Sequence, residues 1–174
     1  MGTGIIVCGM NGSGKSTLGK ALAEALGFHF IDNEDLYFPK TDPNYMYATS
    51  RSQEEVEKLL MDEVRKCGDF VFTAVTGNYG DDIIPLYKYA VLIETPRDVR
   101  LERVRERSYK KFGDRMRKGG DLYEREEAFF EFVSSRPEEY AENWVKTLKC
   151  PVIRVDGTKA VGENVEIIIE KIKA

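Results

Sequence analysis

The chain has 174 residues, of which 42% are hydrophobic and 32% charged, and its formal net charge is −4. This composition is typical of a globular domain with a real core, and the acidic balance argues against a general nucleic-acid binder. No apolar run approaches the ~18 residues of a membrane span, and no secretory leader precedes the first apolar run. We therefore expect a cytoplasmic protein with no membrane partner.

The first predicted strand, residues 4–8, leads into the sequence GMNGSGKS at residues 9–16. This stretch fits the pattern G-x-x-x-x-G-K-[ST] at every fixed position, and leucines at helical spacing follow it as far as Gly27. A glycine-rich loop between a strand and a helix lets backbone N–H groups surround a phosphate. The pattern predicts an ATP site in which Lys15 reaches the β and γ phosphates and Ser16 ligates Mg²⁺. Its predicted binding residues are Asn11, Gly12, Ser13, Gly14, Lys15, Ser16 and Thr17.

A second predicted strand, residues 28–31, runs into the acidic sequence Asp32-Asn33-Glu34-Asp35. The third predicted strand, residues 70–75, has no carboxylate at its end. Because ligands of open parallel sheets gather outside the carboxyl ends of the strands, we expect these acids to face the phosphates. We predict that Asp32 is catalytic and holds Mg²⁺ with Ser16. Asp32, Glu34 and Asp35 are predicted to lie beside the acceptor, and the choice between Glu34 and Asp35 as a helper of Asp32 stays open.

Residues 33–51 look irregular, and we expect the acceptor-binding region at about residues 33–60. A helix is predicted to open at Ser52, with Glu55 completing a capping box. A nucleoside or nucleotide acceptor would stack on Tyr37, Tyr45 or Tyr47 and place its anionic group on Arg51, just before this helix. A sugar or carboxylated metabolite would instead form hydrogen bonds with Asn78, Tyr79 and the Asp32 cluster, and the choice between these classes stays open. The residues after the third strand, Gly77, Asn78 and Tyr79, are further acceptor-binding candidates.

A fourth strand is predicted at residues 89–93, followed by a helix with Thr95 as N-cap and Pro96 at its first position. Residues 97–120 carry ten Lys or Arg and four Asp or Glu, a local charge of +6. Arg100, Arg103 and Arg107 share one face of this helix, and we expect that face to be aimed at the lid. Such a segment gains little from burial, so we predict a mobile basic lid at about residues 108–122 that closes over the triphosphate.

The last third of the chain begins with a long predicted helix from Leu122, kinked at Pro137. A fifth strand at residues 151–155 and a closing helix from Val161 follow. Strands that alternate with helices predict an α/β fold, with three α/β/α layers around a parallel sheet. No linker or repeat divides residues 1–174, so we expect a single domain.

Together these features resemble the P-loop nucleoside-monophosphate-kinase-like family, which includes adenylate kinase, shikimate kinase and gluconate kinase. The resemblance implies a five-stranded parallel sheet in the order 2-3-1-4-5. Arg103 and Arg107 look like the R-x-x-x-R that opens the adenylate kinase lid, which implies adenine stacking by Arg103 and phosphate contact by Arg107. The spacing of Arg125, Arg136 and Tyr140 is similar to that after the lid. It implies catalytic contacts of Arg125 and Arg136 with the transferred phosphate. Gly157 and Thr158 resemble the segment that borders the adenine ring.

The resemblance is weakest on the acceptor side. Asp32-x-Glu34 looks like the D-x-D of shikimate kinase, but Gly77-Asn78-Tyr79-Gly80 differs from that family's glycine triplet. The favoured hypothesis is a Mg²⁺-dependent kinase that transfers the γ phosphate of ATP to a small-molecule or nucleotide acceptor. The alternative is a regulatory ATPase module with slow hydrolysis and no dedicated acceptor. The acceptor, the preference for ATP over GTP, and the choice between monomer and dimer stay open.

Overall fold

One parallel sheet contains all five predicted strands in the computed structural model, which describes residues 2–174. Its strands are β1 (Gly4–Cys8), β2 (His29–Asp32), β3 (Phe70–Ala74), β4 (Tyr87–Glu94) and β5 (Val152–Asp156). The order β2-β3-β1-β4-β5 confirms the predicted topology. All neighbouring strands run parallel, so the residues after β1, β2 and β5 meet at one edge of the sheet.

Helices cover both faces of the sheet. They are α1 (Lys15–Leu26), α2 (Asn33–Tyr37), α3 (Gln53–Cys67), α4 (Arg97–Phe112), α5 (Tyr123–Ser135), α6 (Tyr140–Val145) and α7 (Val161–Lys173). Successive side chains of a strand point to opposite faces. Ile6 of β1 therefore packs with Leu60 of α3, while Val7 packs with Leu22 of α1 and Ile168 of α7. This arrangement gives the predicted three layers.

A smaller apolar cluster joins α4 to α5 away from the sheet. Val104, Met116, Phe130 and Val133 are buried there. The predicted lid, residues 108–122, contains the last turn of α4 and a 3-10 turn at Gly113–Met116. The lid segment is therefore ordered by contacts with α5, and its mobility stays a prediction.

The chain differs from the sequence prediction at three helix ends. Residues 33–51 are not wholly irregular, because Asp32 accepts a hydrogen bond from the Glu34 N–H at 3.0 Å and caps α2. Thr95 does not cap α4; Pro96 holds the cap position, and the Thr95 hydroxyl donates to the Ser13 carbonyl at 3.0 Å.

The third difference is at Pro137, where a break replaces the predicted kink. α5 ends at Ser135, Arg136 is extended, and α6 begins at Tyr140. A residue that precedes proline disfavours the helical conformation, which explains why the helix stops here. The capping box of α3 is confirmed, with Ser52 accepting from the Glu55 N–H and Glu55 accepting from the Ser52 N–H.

Candidate active site

The loop between β1 and α1 forms a ready anion site. Gly12 has φ 78° and Gly14 has φ 97°, in the left-handed region that favours glycine. A Cβ on Gly12 would collide with the carbonyl oxygen of Arg100, so the loop lies against the start of α4. The first N–H groups of α1 have no partner within the helix, and the helix dipole favours negative charge there. The geometry agrees with the predicted phosphate role of residues 11–17.

Lys15, the first residue of α1, is surrounded by the side chains that the sequence assigns to phosphate transfer. Its pKa falls from 10.5 to about 8, chiefly because burial disfavours the ammonium and because Arg107 repels it. Asp32 opposes this shift and Arg136 adds to it. Three cations and one carboxylate therefore influence one another around Lys15. A polyphosphate would neutralise this excess positive charge.

The predicted metal ligands lie on one side of the loop. Ser16 and Asp32 line the same open cleft, together with Thr17 and Lys20. A hydroxyl and a carboxylate are oxygen donors of the kind that Mg²⁺ prefers, and Mg²⁺ commonly takes its other ligands from water and substrate phosphates. The donor set therefore fits Mg²⁺.

On the opposite side, Arg103 connects the loop to the end of β5. Its guanidinium donates to the carbonyls of Gly12 at 3.4 Å, Ser13 at 3.3 Å and Gly157 at 3.0 Å. These residues border a cavity of about 270 Å³ that Gly14, Thr17, Arg103 and Gly157 line. Two of the three residues predicted to lie at the adenine, Arg103 and Gly157, therefore line this cavity. Thr158 lies beyond that lining and closes a turn on Asp156 at 2.8 Å.

The two arginines predicted to contact the transferred phosphate lie in different places. Arg136 donates to the Asn11 side chain at 3.0 Å and covers the ring of Tyr140 at 4.9 Å, which puts it at the phosphate loop. Arg125 donates to the carbonyl of Tyr47 at 3.0 Å, within the predicted acceptor-binding region. A phosphate role for Arg125 stays a prediction.

Arg100 is the most buried of the three arginines that the sequence places on one face of α4. The sequence grouped it with Arg103 and Arg107, but its side chain is 3% exposed and points under the phosphate loop. It donates to the carbonyls of Thr95 at 3.1 Å and Asn11 at 3.3 Å and to Glu138 at 2.7 Å. The expectation that this face is aimed at the lid was wrong for Arg100 and Arg103, because this part of α4 packs against the phosphate loop and both side chains donate to its carbonyls.

A second cavity, of about 260 Å³, lies between the segment after α2 and helices α4 and α5. We call it the aromatic cavity; its lining is Glu34, Phe38, Tyr45, Tyr47, Arg107, Ser108, Lys111, Arg125, Glu126 and Phe129. Five of these residues, Glu34, Tyr45, Tyr47, Arg107 and Arg125, were site candidates from the sequence. The others were missed as site residues, although the density of aromatic residues before Arg51 and after Lys111 is a signal that could have indicated them.

Glu34 is the acid of the Asp32 cluster that reaches the aromatic cavity. Its carboxylate accepts from the Tyr47 hydroxyl at 2.8 Å and from Lys40 at 3.2 Å. Burial raises the pKa of Glu34, but Lys111 and these two partners together hold it below the usual value. Asp35 pairs with Lys40 at 2.7 Å, and its side chain is 65% exposed. Of the two acids that the sequence left open, Glu34 therefore faces the cavity.

The remaining acceptor candidates lie outside the lining of the aromatic cavity. Arg51 donates to the Leu36 carbonyl at 2.9 Å, and the Asn78 carbonyl accepts from Gln53 at 3.2 Å. The Gly77 carbonyl accepts from the Tyr87 hydroxyl at 2.9 Å. Tyr79 is 8% exposed, and its ring lies 5.4 Å from that of Phe72 in the core. A substrate contact by Arg51, Gly77, Asn78 or Tyr79 stays a prediction.

The phosphate loop, the parallel sheet order and the arginines that converge on Lys15 define a P-loop nucleotide-binding domain of the nucleoside-monophosphate-kinase-like type. The sequence profile of a family described as AAA domain matches residues 5–130. The chain belongs to this family. Within residues 2–174, no helix is both long and apolar enough to cross a membrane.

Relatives and solved structures of similar fold cover nearly the whole chain. The chain is 27% identical to YqaC of Bacillus subtilis (strain 168), an uncharacterized protein, over 95% of each chain. A shikimate kinase structure from Bacteroides thetaiotaomicron has a TM-score of 0.61 at 17% identity and covers 99% of both chains. A deoxyadenosine kinase from M. mycoides with bound dATP has a TM-score of 0.58 at 15% identity, covering 99% of this chain and 100% of that one. At these identities the solved structures show the fold alone.

Proposed function

We propose that this protein is a Mg²⁺-dependent kinase that transfers the γ phosphate of ATP to a small molecule or nucleotide bound in the aromatic cavity. The observation that carries the proposal is the position of Arg107. This side chain lines the aromatic cavity, and its charge also lowers the pKa of Lys15 in the phosphate loop. Phosphate transfer requires an acceptor cavity next to the phosphate site, and a cation shared by the two places them side by side. A regulatory ATPase needs no such second cavity.

Each half of the reaction has its own residues. The phosphate loop and Lys15 hold the β and γ phosphates, and Arg136, fixed on Asn11, faces the transferred group. Arg107 then contacts the phosphate from the acceptor side. Phosphoryl transfer depends mainly on positioning and on stabilising charge, so this concentration of cations is the principal catalytic contribution.

Ser16 and Asp32 would hold Mg²⁺, which when bound supplies charge neutralisation for the phosphates. Glu34 stays ionised and faces the aromatic cavity, where it can orient an acceptor hydroxyl by accepting its hydrogen bond. Solved structures of the same fold carry the names shikimate kinase, gluconokinase and deoxyadenosine kinase, which supports phosphate transfer while leaving the acceptor undefined.

The test is a screen of acceptors for stimulated ADP formation from ATP and Mg²⁺. The panel contains nucleosides, nucleoside monophosphates, shikimate, gluconate and other sugars. We expect at least one class to stimulate turnover. Lys15→Ala should reduce that turnover about 30- to 1,000-fold through a loss of about 2–4 kcal/mol of transition-state stabilisation. Slow ADP formation that no acceptor class accelerates would instead favour the regulatory ATPase.

A further inference from the structure

Glu126, on α5, is a buried carboxylate that lines the aromatic cavity. The residue is 3% exposed, and one carboxylate oxygen accepts from the Tyr45 hydroxyl at 3.2 Å. In the described part of the chain, no basic side chain lies within 4.0 Å of this carboxylate, although fourteen ion pairs form elsewhere. Buried carboxylates are almost always paired, because an unpaired one is costly to desolvate. The carboxylate oxygen of Glu126 that Tyr45 does not contact has no hydrogen-bond donor among the described residues, and Glu126 lines the cavity, where a ligand can supply that donor.

The walls around Glu126 suit a flat ring. Tyr45 and Tyr47 lie edge to face, with ring centroids 5.7 Å apart, and Phe38 lies 4.9 Å from Tyr47 in the same manner. Phe129 lines the cavity from α5. Aromatic side chains bind planar rings through stacked or edge-to-face contacts and contribute large apolar area. A polyol or an alicyclic carboxylate would leave these ring surfaces poorly matched.

The charges in the cavity exclude a cation as the donor for Glu126. Arg107, Lys111 and Arg125 line the same space as Glu126 and Glu34, which makes three cations against two carboxylates. Lys111 lies against the Tyr47 ring, with its ammonium 4.9 Å from the ring centroid, and Arg125 covers the Tyr45 ring at 4.6 Å. A cationic amine would meet net repulsion, whereas a neutral N–H donor would not.

We propose that the acceptor carries a planar nitrogen heterocycle with an exocyclic amino group, as amino-bearing nucleosides do, and that Glu126 selects it by accepting a hydrogen bond from that group. The ring would lie among Phe38, Tyr45, Tyr47 and Phe129. The hydroxyl or phosphate of the acceptor would then point towards Arg107 and Glu34. This inference rests on the proposed function, because the cavity is an acceptor site only if phosphate is transferred into it.

The experiment compares matched bases with two neighbouring variants. Cytidine and uridine differ at an amino group that becomes a carbonyl, and adenosine and inosine differ in the same way. Dissociation constants are measured by calorimetry on the full chain loaded with a non-hydrolysable ATP analogue, and turnover is measured with ATP. Glu126→Gln is the test variant. Glu127→Gln is its control, since Glu127 is the adjacent residue of α5 and forms an exposed pair with Arg105 at 3.2 Å.

We expect at least one amino-bearing base to bind more tightly than its carbonyl partner. Glu126→Gln should weaken the binding of that base on the order of 10- to 100-fold, because a charge-assisted hydrogen bond is lost. It should also reduce the preference for the amino-bearing base over its carbonyl partner, because the glutamine amide can donate to a carbonyl. Glu127→Gln should bind both bases as the unchanged protein does. ATP-analogue binding should stay the same in both variants.

The outcomes separate this inference from the kinase proposal. Phosphorylation of shikimate or a sugar with no nucleoside bound would overturn the inference and leave the kinase proposal standing. Nucleosides that bind in a Glu126-dependent way without stimulating ADP formation would overturn the kinase proposal instead. Equal effects of Glu126→Gln on both members of each pair, or no effect, would show that Glu126 does not read the amino group.

Discussion

Replacing Arg100 tests whether the phosphate loop depends on a buried guanidinium beneath it. The side chain joins three segments that are far apart in sequence: the end of β4 through Thr95, the loop through Asn11, and the turn after Arg136 through Glu138. Its 3% exposure means that water cannot replace these contacts without a rearrangement. Arg100→Met keeps most of the volume and removes all the donors.

The loss in free energy of unfolding can be estimated from the three groups that would lose their hydrogen bonds to Arg100. The Thr95 and Asn11 carbonyls would each lose a donor at a site shielded from water, at about 1–3 kcal/mol apiece. Glu138 is 47% exposed and can return to water, so its lost ion pair contributes little. We therefore expect Arg100→Met to lower the free energy of unfolding by about 2–6 kcal/mol, a large part of the ~5–15 kcal/mol typical of a domain.

Urea unfolding followed by circular dichroism measures this loss, with Arg97→Met as the matched control. Arg97 lies one turn earlier on α4, pairs with the same Glu138 at 3.2 Å and is 48% exposed. Its replacement should cost less than about 1 kcal/mol. Equal losses in the two variants would refute the reasoning, since burial is what separates them. In protein that remains folded, Arg100→Met should also weaken ATP binding, because the phosphate loop loses the hydrogen bond that holds it at the Asn11 carbonyl.

Three further predictions concern the site itself. Asp32→Asn should cut turnover while ATP affinity changes little; a collapse of ATP binding in calorimetry would make the carboxylate mainly a metal anchor. Burial and Arg107 lower the pKa of Lys15 from 10.5 to about 8. The folded chain then sheds this proton before the unfolded chain does. Between pH 8 and about 9.5, the free energy of unfolding of the nucleotide-free protein should therefore rise relative to that of Lys15→Met, while its affinity for ATP falls. If neither quantity changes with pH in this range, the lowered pKa of Lys15 is contradicted. A Cβ on Gly157 would collide with the Thr95 hydroxyl and lie 2.7 Å from the Ser13 carbonyl. Gly157→Ala should therefore cost about 1–3 kcal/mol in a melt and weaken ATP binding, whereas Gly162→Ala, which meets open space, should not.

The parts of the fold that were predictable from sequence depend on short-range patterns. A strand, a glycine-rich loop and a helix within residues 4–26 specify their own geometry, and apolar runs mark the other strands. The sheet order needed the resemblance to a known family, because periodicity does not say which strands are neighbours. The sequence predicted a kinked helix at Pro137, whereas the structure has two separate helices. A proline permits either outcome, and tertiary packing decides between them.

The aromatic cavity was only partly predictable, because the sequence indicated its wall near residues 34–47 as an acceptor region but not how α4 and α5 complete it. Its lining comes from residues near 34–47, 107–111 and 125–129, segments that meet only after α4 and α5 pack through Val104 and Phe130. Glu126 looked like one acid among several on a charged helix. Nothing local distinguishes it from Glu127, and only the tertiary structure buries one and exposes the other.

Three of the five arginines of α4 show how one helix can connect both halves of the site. Arg100 is fixed under the phosphate loop, Arg103 bridges the loop to Gly157, and Arg107 enters the aromatic cavity. Because the Arg100 carbonyl leaves no room for a side chain at Gly12, the first turns of α4 cannot shift without displacing the loop. The position of Arg107 is therefore fixed by the contacts that Arg100 and Arg103, one to two turns earlier on α4, make with the phosphate loop. An acceptor in the cavity meets a cation whose placement is set by the same contacts that shape the ATP site, so changes that loosen Arg100 should impair the acceptor side as well.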